Sequence, residues 1–164
     1  AKIASGKILI TIDADSTMSA NMLIKIKEAL ETAKYMGGAT FIIPERFSLG
    51  IIMTGIFLLP FVIIYQISAG LFFCFKEDFE AIGGFDESLY SAEDIDFAKR
   101  LRKHAKKKGK KFKNLFSAHI ITSCRKFDSF GDWYLIKNPI HAIKLLKGKN
   151  KDLANKFWYD YKHK

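Results

Sequence analysis

The sequence predicts an α/β fold, a mostly parallel sheet with flanking helices. Three observations point to it. Residues 7–43 read strand, helix, strand, the repeating unit of such sheets. A further apolar strand, Gly70-Leu71-Phe72-Phe73-Cys74-Phe75, follows, and helical patterns come after it. The chain is 164 residues long and 49% apolar, which suits one domain with a real core.

Each element has a local reason. Ala1 to Ser5 has the look of a last helical turn, with Gly6 as its C-cap. Lys7 to Ile12 is β-branched and apolar, the composition of a buried strand, and it ends at Asp13-Ala14-Asp15-Ser16. A helix is expected from Ser16–Ser19 onward, with Met22, Leu23, Ile26, Leu30 and Ala33 on one face and Gly37-Gly38 as its stop. Ala39 to Ile43 is the second strand, closed by Pro44. After the strand at Gly70–Phe75, Glu77 to Ile82 is a short helix ended by Gly83-Gly84. Phe85-Asp86-Glu87 is a turn, and Ala92 to Lys107 is a helix with Ile95, Ala98, Leu101 and Ala105 facing inward. Phe112–Phe116 and His119–Ser123 are two short strands. Helices fill the rest, reset at Pro139 and ending in an aromatic segment at Leu153–Tyr161. Its Phe157, Trp158, Tyr159 and Tyr161 suit either a packed face or a lipid interface.

Charge is uneven. The 27 Lys+Arg against 17 Asp+Glu leave +10, and ten of the basic residues fall between Lys99 and Lys113. Such a run is either a solvated helix face or an anion-attracting patch for lipid headgroups, a phosphorylated substrate or nucleic acid. Nucleic acid is disfavoured, because no aromatic interleaves the run before Phe112 and no nucleic-acid signature accompanies it. By contrast, no charged residue occurs from Phe47 to Phe75. Leu49 to Tyr65 is nearly long enough to span a bilayer, but Pro60, Gly50 and Gly55 weaken a simple span. A helix buried or lying on a membrane surface is expected at residues 47–65, with a true span or an oligomer interface as alternatives. Cys74 and Cys124 form no C-x-x-C and read as buried thiols of a reducing compartment, so a cytoplasmic chain, peripheral on the inner face of a membrane, is expected. The chain shows no signal peptide and no initiating Met.

Two acidic constellations carry the chemistry. Asp13 and Asp15 stand two apart at the carboxyl end of a strand, where open α/β sheets bind ligands. Paired hard oxygens there suit Mg²⁺ or Mn²⁺ bridging to phosphates; the plain alternative is a helix cap and a turn residue. Gly83-Gly84-Phe85-Asp86-Glu87 then precedes Glu93-Asp94-Ile95-Asp96, three acids opening a helix that runs on into Lys and Arg. Macrodipole complementation explains that polarity. A general base for an acceptor hydroxyl explains it too.

Taken together, D-A-D, a Gly-led apolar strand, G-G-F-D-E and E-D-x-D, in that order, resemble family 2 glycosyltransferases of the GT-A fold. The resemblance covers residues 1–130, with 131–164 as a helical extension. It implies that Asp13 and Asp15 bind a nucleotide-sugar diphosphate through a divalent metal, Asp15 being the main ligand, and that Gly70 lies in the wall of the donor pocket. It also implies that Glu93 meets the acceptor and Asp94 is the catalytic base of an inverting displacement. His119 is a further metal ligand by the same reasoning, or a half-buried strand histidine. Arg125 is a diphosphate clamp or a surface charge. Only the acceptor-side half of a GT-A domain is matched: the N-terminal nucleotide-binding strands do not precede Ala1. A fragment, or a partner chain that supplies the missing half, is therefore expected. The implied partners are a nucleotide-sugar donor, a saccharide or lipid-linked acceptor and an anionic membrane surface, in cell-surface polysaccharide or glycolipid synthesis. A non-catalytic membrane scaffold and a basic polyanion-binding module are the competing readings.

Overall fold

The computed structural model describes residues 1, 3–65, 70–148 and 150–158, without the side chains of residues 64, 65 and 158. The described residues fall into two compact units. The first comprises residues 1–43, 70–85 and 94–122; the second comprises residues 44–65, 86–93 and 123–158. This cut differs from a division at residue 130: the apolar helix groups with the C-terminal helices.

The first unit is a five-stranded sheet with helices on both faces. Its strands are β1 (Ile8–Ile12), β2 (Ser16–Met18), β3 (Tyr35–Pro44), β4 (Leu71–Phe75) and β5 (Lys111–Thr122), in the order β1-β4-β3-β5-β2. β4 is antiparallel to both β1 and β3, and β2 is antiparallel to β5. β3 and β5 run parallel, since Lys111 N–H donates to the Lys34 carbonyl and Thr40 Oγ1 donates to the Ala118 carbonyl. The sheet is thus mixed and mostly antiparallel, which corrects the expected mostly parallel one. The strand-helix-strand unit survives in direction, because β1 and β3 both oppose β4 and so run parallel to each other. What the linear pattern does not show is β4 inserted between them, a split β-α-β arrangement.

The two faces of β4 follow the strand period of two. Leu71 and Phe73 join Met22, Ile26, Ala29 and Leu30 of α1 (Met22–Glu31), with Leu115, Ala118 and Ile120 of β5. Phe72 points the other way, 5.3 Å from the ring of Phe97 on α4 (Glu93–Lys107), which also stacks on Phe85 at 4.4 Å. Phe79 of α3 (Lys76–Ala81) completes that aromatic layer.

Several local expectations are corrected. Among the described residues of 1–5 none is helical; Ala4 N–H donates to the Ala1 carbonyl in a turn there. Ser16-Thr17-Met18 is not the start of a helix, because pairing with Ile120–Thr122 holds it extended. Leu23 is 58% exposed and Ala33 takes a left-handed φ of 56° past the helix end, so Ala29 replaces them on the buried face. Gly37 and Gly38 do not stop the helix; they lie inside β3. A Cβ on Gly37 would sit 2.5 Å from the Phe73 carbonyl oxygen, and one on Gly38 would collide with that of Lys113. They let β3 pass closely between its two neighbours. The two strands expected at 112–116 and 119–123 are the single strand β5.

The second unit holds α2 (Leu49–Tyr65), α5 (Arg125–Phe130), α6 (Tyr134–Lys137), α7 (Pro139–Leu146) and α8 (Lys151–Trp158). Pro139 opens α7, where its missing N–H costs nothing. Phe130, Tyr134 and Phe157 stack with centroids 5.0–5.9 Å apart, so Phe157 packs inward. Tyr159 and Tyr161 lie outside the described residues. Arg46, just ahead of α2, grips Asp132 with both terminal nitrogens, at 2.8 and 3.1 Å, and reaches Asp128 as well. The fork raises the arginine's pKa, through Asp132 first and Asp128 second, and holds the Asp132 carboxyl at about 2. Among the described residues, no helix is long and apolar enough to cross a membrane.

Candidate functional site

The Asp13-Ala14-Asp15 turn joins β1 to β2, the two edges of the sheet. A flat five-strand sheet separates its edges by four spacings, about 19 Å. The four Cα steps from Ile12 to Ser16 reach about 14 Å at most. The sheet therefore curls at this end, and the turn is drawn in beside β4 and β5. Asp13 N–H donates to the Gly70 carbonyl at 3.0 Å, and the Asp13 carbonyl accepts from Ser16 N–H at 3.0 Å. Ser16 Oγ donates to Thr122 Oγ1 at 3.0 Å, which ties the far side of the turn to the end of β5.

Gly70 is buried and has φ +103°, a conformation that side-chain-bearing residues rarely adopt. A Cβ there would lie 2.8 Å from Ile120 Cδ1 and 3.3 Å from Asp13 Oδ2. The glycine therefore lets the Asp13 carboxylate and Ile120 close in on its backbone, where a Cβ has no room. Asp13 is exposed and Asp15 half-buried. The structure thus brings Asp13, Asp15 and Gly70 together at the carboxyl end of β1.

His119 is placed elsewhere on the unit. Its carbonyl accepts from Ser19 N–H at 2.9 Å and its own N–H donates to Ser19 Oγ at 3.2 Å, opposite the residue that follows β2. That is three residues back along β5 from Thr122, roughly 10 Å of strand. Among the described residues, no three His, Cys, Asp or Glu side chains gather as a metal-binding group. The register therefore gives His119 no support as a third ligand beside the aspartates.

Asp94 is the second residue of α4 and is half-buried. Glu93 is the first, exposed, and groups with the second unit. The left-handed φ of 62° at Ala92 aims the chain into the helix. A non-glycine residue so placed stores backbone strain, a feature that clusters at functional sites. Ser91 holds that segment: its hydroxyl donates to the Leu145 carbonyl at 2.8 Å, and the neighbouring Tyr90 N–H donates to the Gly148 carbonyl.

The third acid has a different job. Asp96 accepts from Arg100 Nε at 2.6 Å, while Arg100 Nη1 donates to the carbonyls of Ile82 and Gly84, both at 2.7 Å. Arg100 thus locks the Gly83-Gly84-Phe85 turn onto the helix that carries Asp94. In the sequence this residue lies inside an undivided basic run, and its i+4 spacing from Asp96 is the signal that sets it apart. Buried Asp78 carries no such signal; it accepts from Lys108 at 2.8 Å and contacts His104 Nε2 at 3.0 Å. Other members of the run also act internally: Arg102 lies over the Phe112 ring at 4.3 Å, Lys110 over Phe75 and Lys113 over Tyr35. About half of the run is therefore committed to the fold.

Arg125 opens the six-residue α5 in the second unit and is exposed. Both cysteines are free thiols and buried, as the sequence suggested. Burial first, and Asp78 second, push the Cys74 thiol up to about 12.

Comparison with known proteins gives no matching family model and no matching curated protein.

Proposed function

We propose that the chain carries the acceptor-side part of an inverting, metal-dependent glycosyltransferase of GT-A type, which moves a sugar from a nucleotide-sugar to a hydroxyl of a saccharide or lipid-linked acceptor. The observation that carries this reading is the Asp13–Asp15 turn, whose backbone is closed onto a Cβ-less Gly70 at the carboxyl end of β1. The order of the motifs around it, D-A-D, G-G-F-D-E and E-D-x-D, supports the same reading.

The residues fit a hard divalent cation. Mg²⁺ and Mn²⁺ commonly take one or two protein carboxylates and complete their shells with phosphate and water. Asp15, with Asp13 beside it, would hold the ion, and Mg²⁺ or Mn²⁺ there would supply Lewis-acid neutralisation of the leaving diphosphate. Asp94 accepts the acceptor's hydroxyl proton on its carboxylate, whose charge the N-terminus of α4 stabilises. The acceptor oxygen bonds to the anomeric carbon while the bond from that carbon to the diphosphate breaks, which inverts the centre. Glu93, the residue before Asp94, orients the acceptor. Arg100 keeps Asp94's helix seated and stays out of the chemistry.

Calorimetric titration with UDP and GDP, with and without Mn²⁺, tests the reading, with Asp15→Asn as the control. Binding that needs the metal and is lost in the variant is expected. Binding that ignores the metal, or persists in Asp15→Asn, refutes the assignment. No binding to the native chain removes the claim that this chain holds a donor site by itself.

A further inference from the structure

The second unit presents an apolar surface that its own interior does not use. α2 turns one side inward: Ile51 and Thr54 are buried, Thr54 Oγ1 donates to the Asp132 carbonyl at 3.2 Å, and Gly50 packs against Asp132 and Trp133. Its other side is Leu49, Ile52, Ile56, Leu59 and Ile63, each between 47% and 68% exposed. From Leu49 to Ile63 this face runs about 21 Å without a polar side chain. Contiguous exposed apolar surface of that extent marks an interaction site.

The charge around it selects the partner. α2 has none of its own. It packs on α6, and α6 on α7. On α7, Ile140, Ile143, Lys144 and Lys147 recur at helical spacing; the first three lie within the helix and Lys147 caps it, and all four are exposed. Between Trp133 and Lys151 there are five lysines and no acid. Isoleucine beside lysine, with a half-exposed tryptophan, is what an anionic lipid surface takes up: apolar side chains enter the acyl boundary while ammonium groups stay with the headgroups. A second copy of this chain fits less well, because a two-fold contact over this region would set lysines against lysines.

We infer that the second unit docks on an anionic membrane surface through the outer face of α2 and the Ile140–Lys147 face of α7. The inference is independent of the chemistry at Asp13 and Asp15. α2 lies on the surface and does not cross it, in keeping with its internal Pro60.

Flotation of the full chain with vesicles tests this. Native protein is expected to float with phosphatidylcholine vesicles containing 30% phosphatidylglycerol, and at least tenfold less with pure phosphatidylcholine. Ile56→Glu, at a position 56% exposed, is expected to lower binding at least tenfold while the circular dichroism spectrum stays native. Lys144→Ala/Lys147→Ala is expected to lower binding to the anionic vesicles by about thirtyfold, at about fivefold per lysine. Native protein that stays out of anionic vesicles overturns the inference, and that arm needs no variant. Binding unchanged in a folded Ile56→Glu protein, or in the double lysine variant, overturns it as well. A dimer in sedimentation velocity that Ile56→Glu dissociates, with vesicles left bare, assigns the face to a second copy instead.

Discussion

Replacing Gly70 by alanine tests whether the packing beside Asp13 is as tight as the structure draws it. Two costs add. The backbone at φ +103° is one that alanine strains to adopt, worth about 1–3 kcal/mol. The new methyl would also stand 2.8 Å from Ile120 Cδ1 and 3.3 Å from Asp13 Oδ2. The first contact is with the end of a side chain buried in the core, so relief requires a repacked Ile120, about 1 kcal/mol more. Urea denaturation is expected to report a loss of about 2–4 kcal/mol. Ile120→Val deletes only the Cδ1 atom and by itself costs about 0.5–1.5 kcal/mol. In the double variant the methyl finds space, so the two losses are expected to fall short of additivity by about 1 kcal/mol, the backbone part remaining. Under the proposed function, Gly70→Ala also crowds Asp13 and weakens Mn²⁺-dependent nucleotide binding by about tenfold or more. A neutral Gly70→Ala, or additivity within about 0.5 kcal/mol, refutes the reasoning about this corner.

Three further predictions concern the supports of the fold. Arg100→Met strips three hydrogen bonds, one of them from the carbonyl of buried Gly84, and is expected to cost about 2–4 kcal/mol in urea denaturation; a loss under about 0.5 kcal/mol denies the clamp. Asp132 has its folded carboxyl held at about 2 by Arg46, below the unfolded value, so its stabilisation is complete above the unfolded carboxylate range and lost as pH falls toward 2. Acid titration of Asp132→Asn followed by circular dichroism is expected to show a shallower loss over that window than the native chain, and parallel curves would deny the linkage. Cys74, with its thiol pushed up to about 12, is expected to resist alkylation at pH 8 until the chain is unfolded, and rapid labelling of the native chain at Cys74 would contradict its burial.

What the sequence reveals here is local. α1, β4 and α4 are written in apolar periodicity, and their burial follows it: Met22, Ile26 and Leu30 on α1, Ala98, Leu101 and Ala105 on α4; β1 reads as a buried strand but is an edge strand in which Leu9 alone is buried and Ile8 and Ile12 are exposed. Pairing is not local. β4 enters between β1 and β3 because strand order is decided by which faces bury together, and the β-α-β pattern of residues 7–43 is the same with or without an intruding strand. Gly37-Gly38 illustrates the limit. In a linear reading two glycines end a helix; in the sheet they are the two residues that let a strand pass between backbones too close for a Cβ. Ser16-Thr17-Met18 misleads in the opposite sense. Ser and Thr ahead of an apolar helix read as caps, yet a partner a hundred residues away holds them extended. The basic run is a third case. Charge counting sees ten cations, whereas the structure spends Arg100 on Asp96 and two carbonyls, Lys108 on Asp78, and Arg102 on a ring.

The aspartates of the candidate site were legible for a reason that the topology sharpens. They sit on the connection between the two edge strands, where about 14 Å of chain must bridge what a flat sheet would hold about 19 Å apart. That constraint bends the sheet and brings the Gly70 backbone and the end of β5 up to the turn. Any three-residue link between these edges would have to do the same, so closure alone does not call for carboxylates. Asp13 uses its backbone N–H and carbonyl to close the turn, which leaves side-chain identity at 13 and 15 unconstrained by that closure. The geometry explains why the turn exists. Exchange of Asp13 for Asn is therefore expected to leave the closure of the turn intact, since the turn is held by the backbone N–H and carbonyl of residue 13.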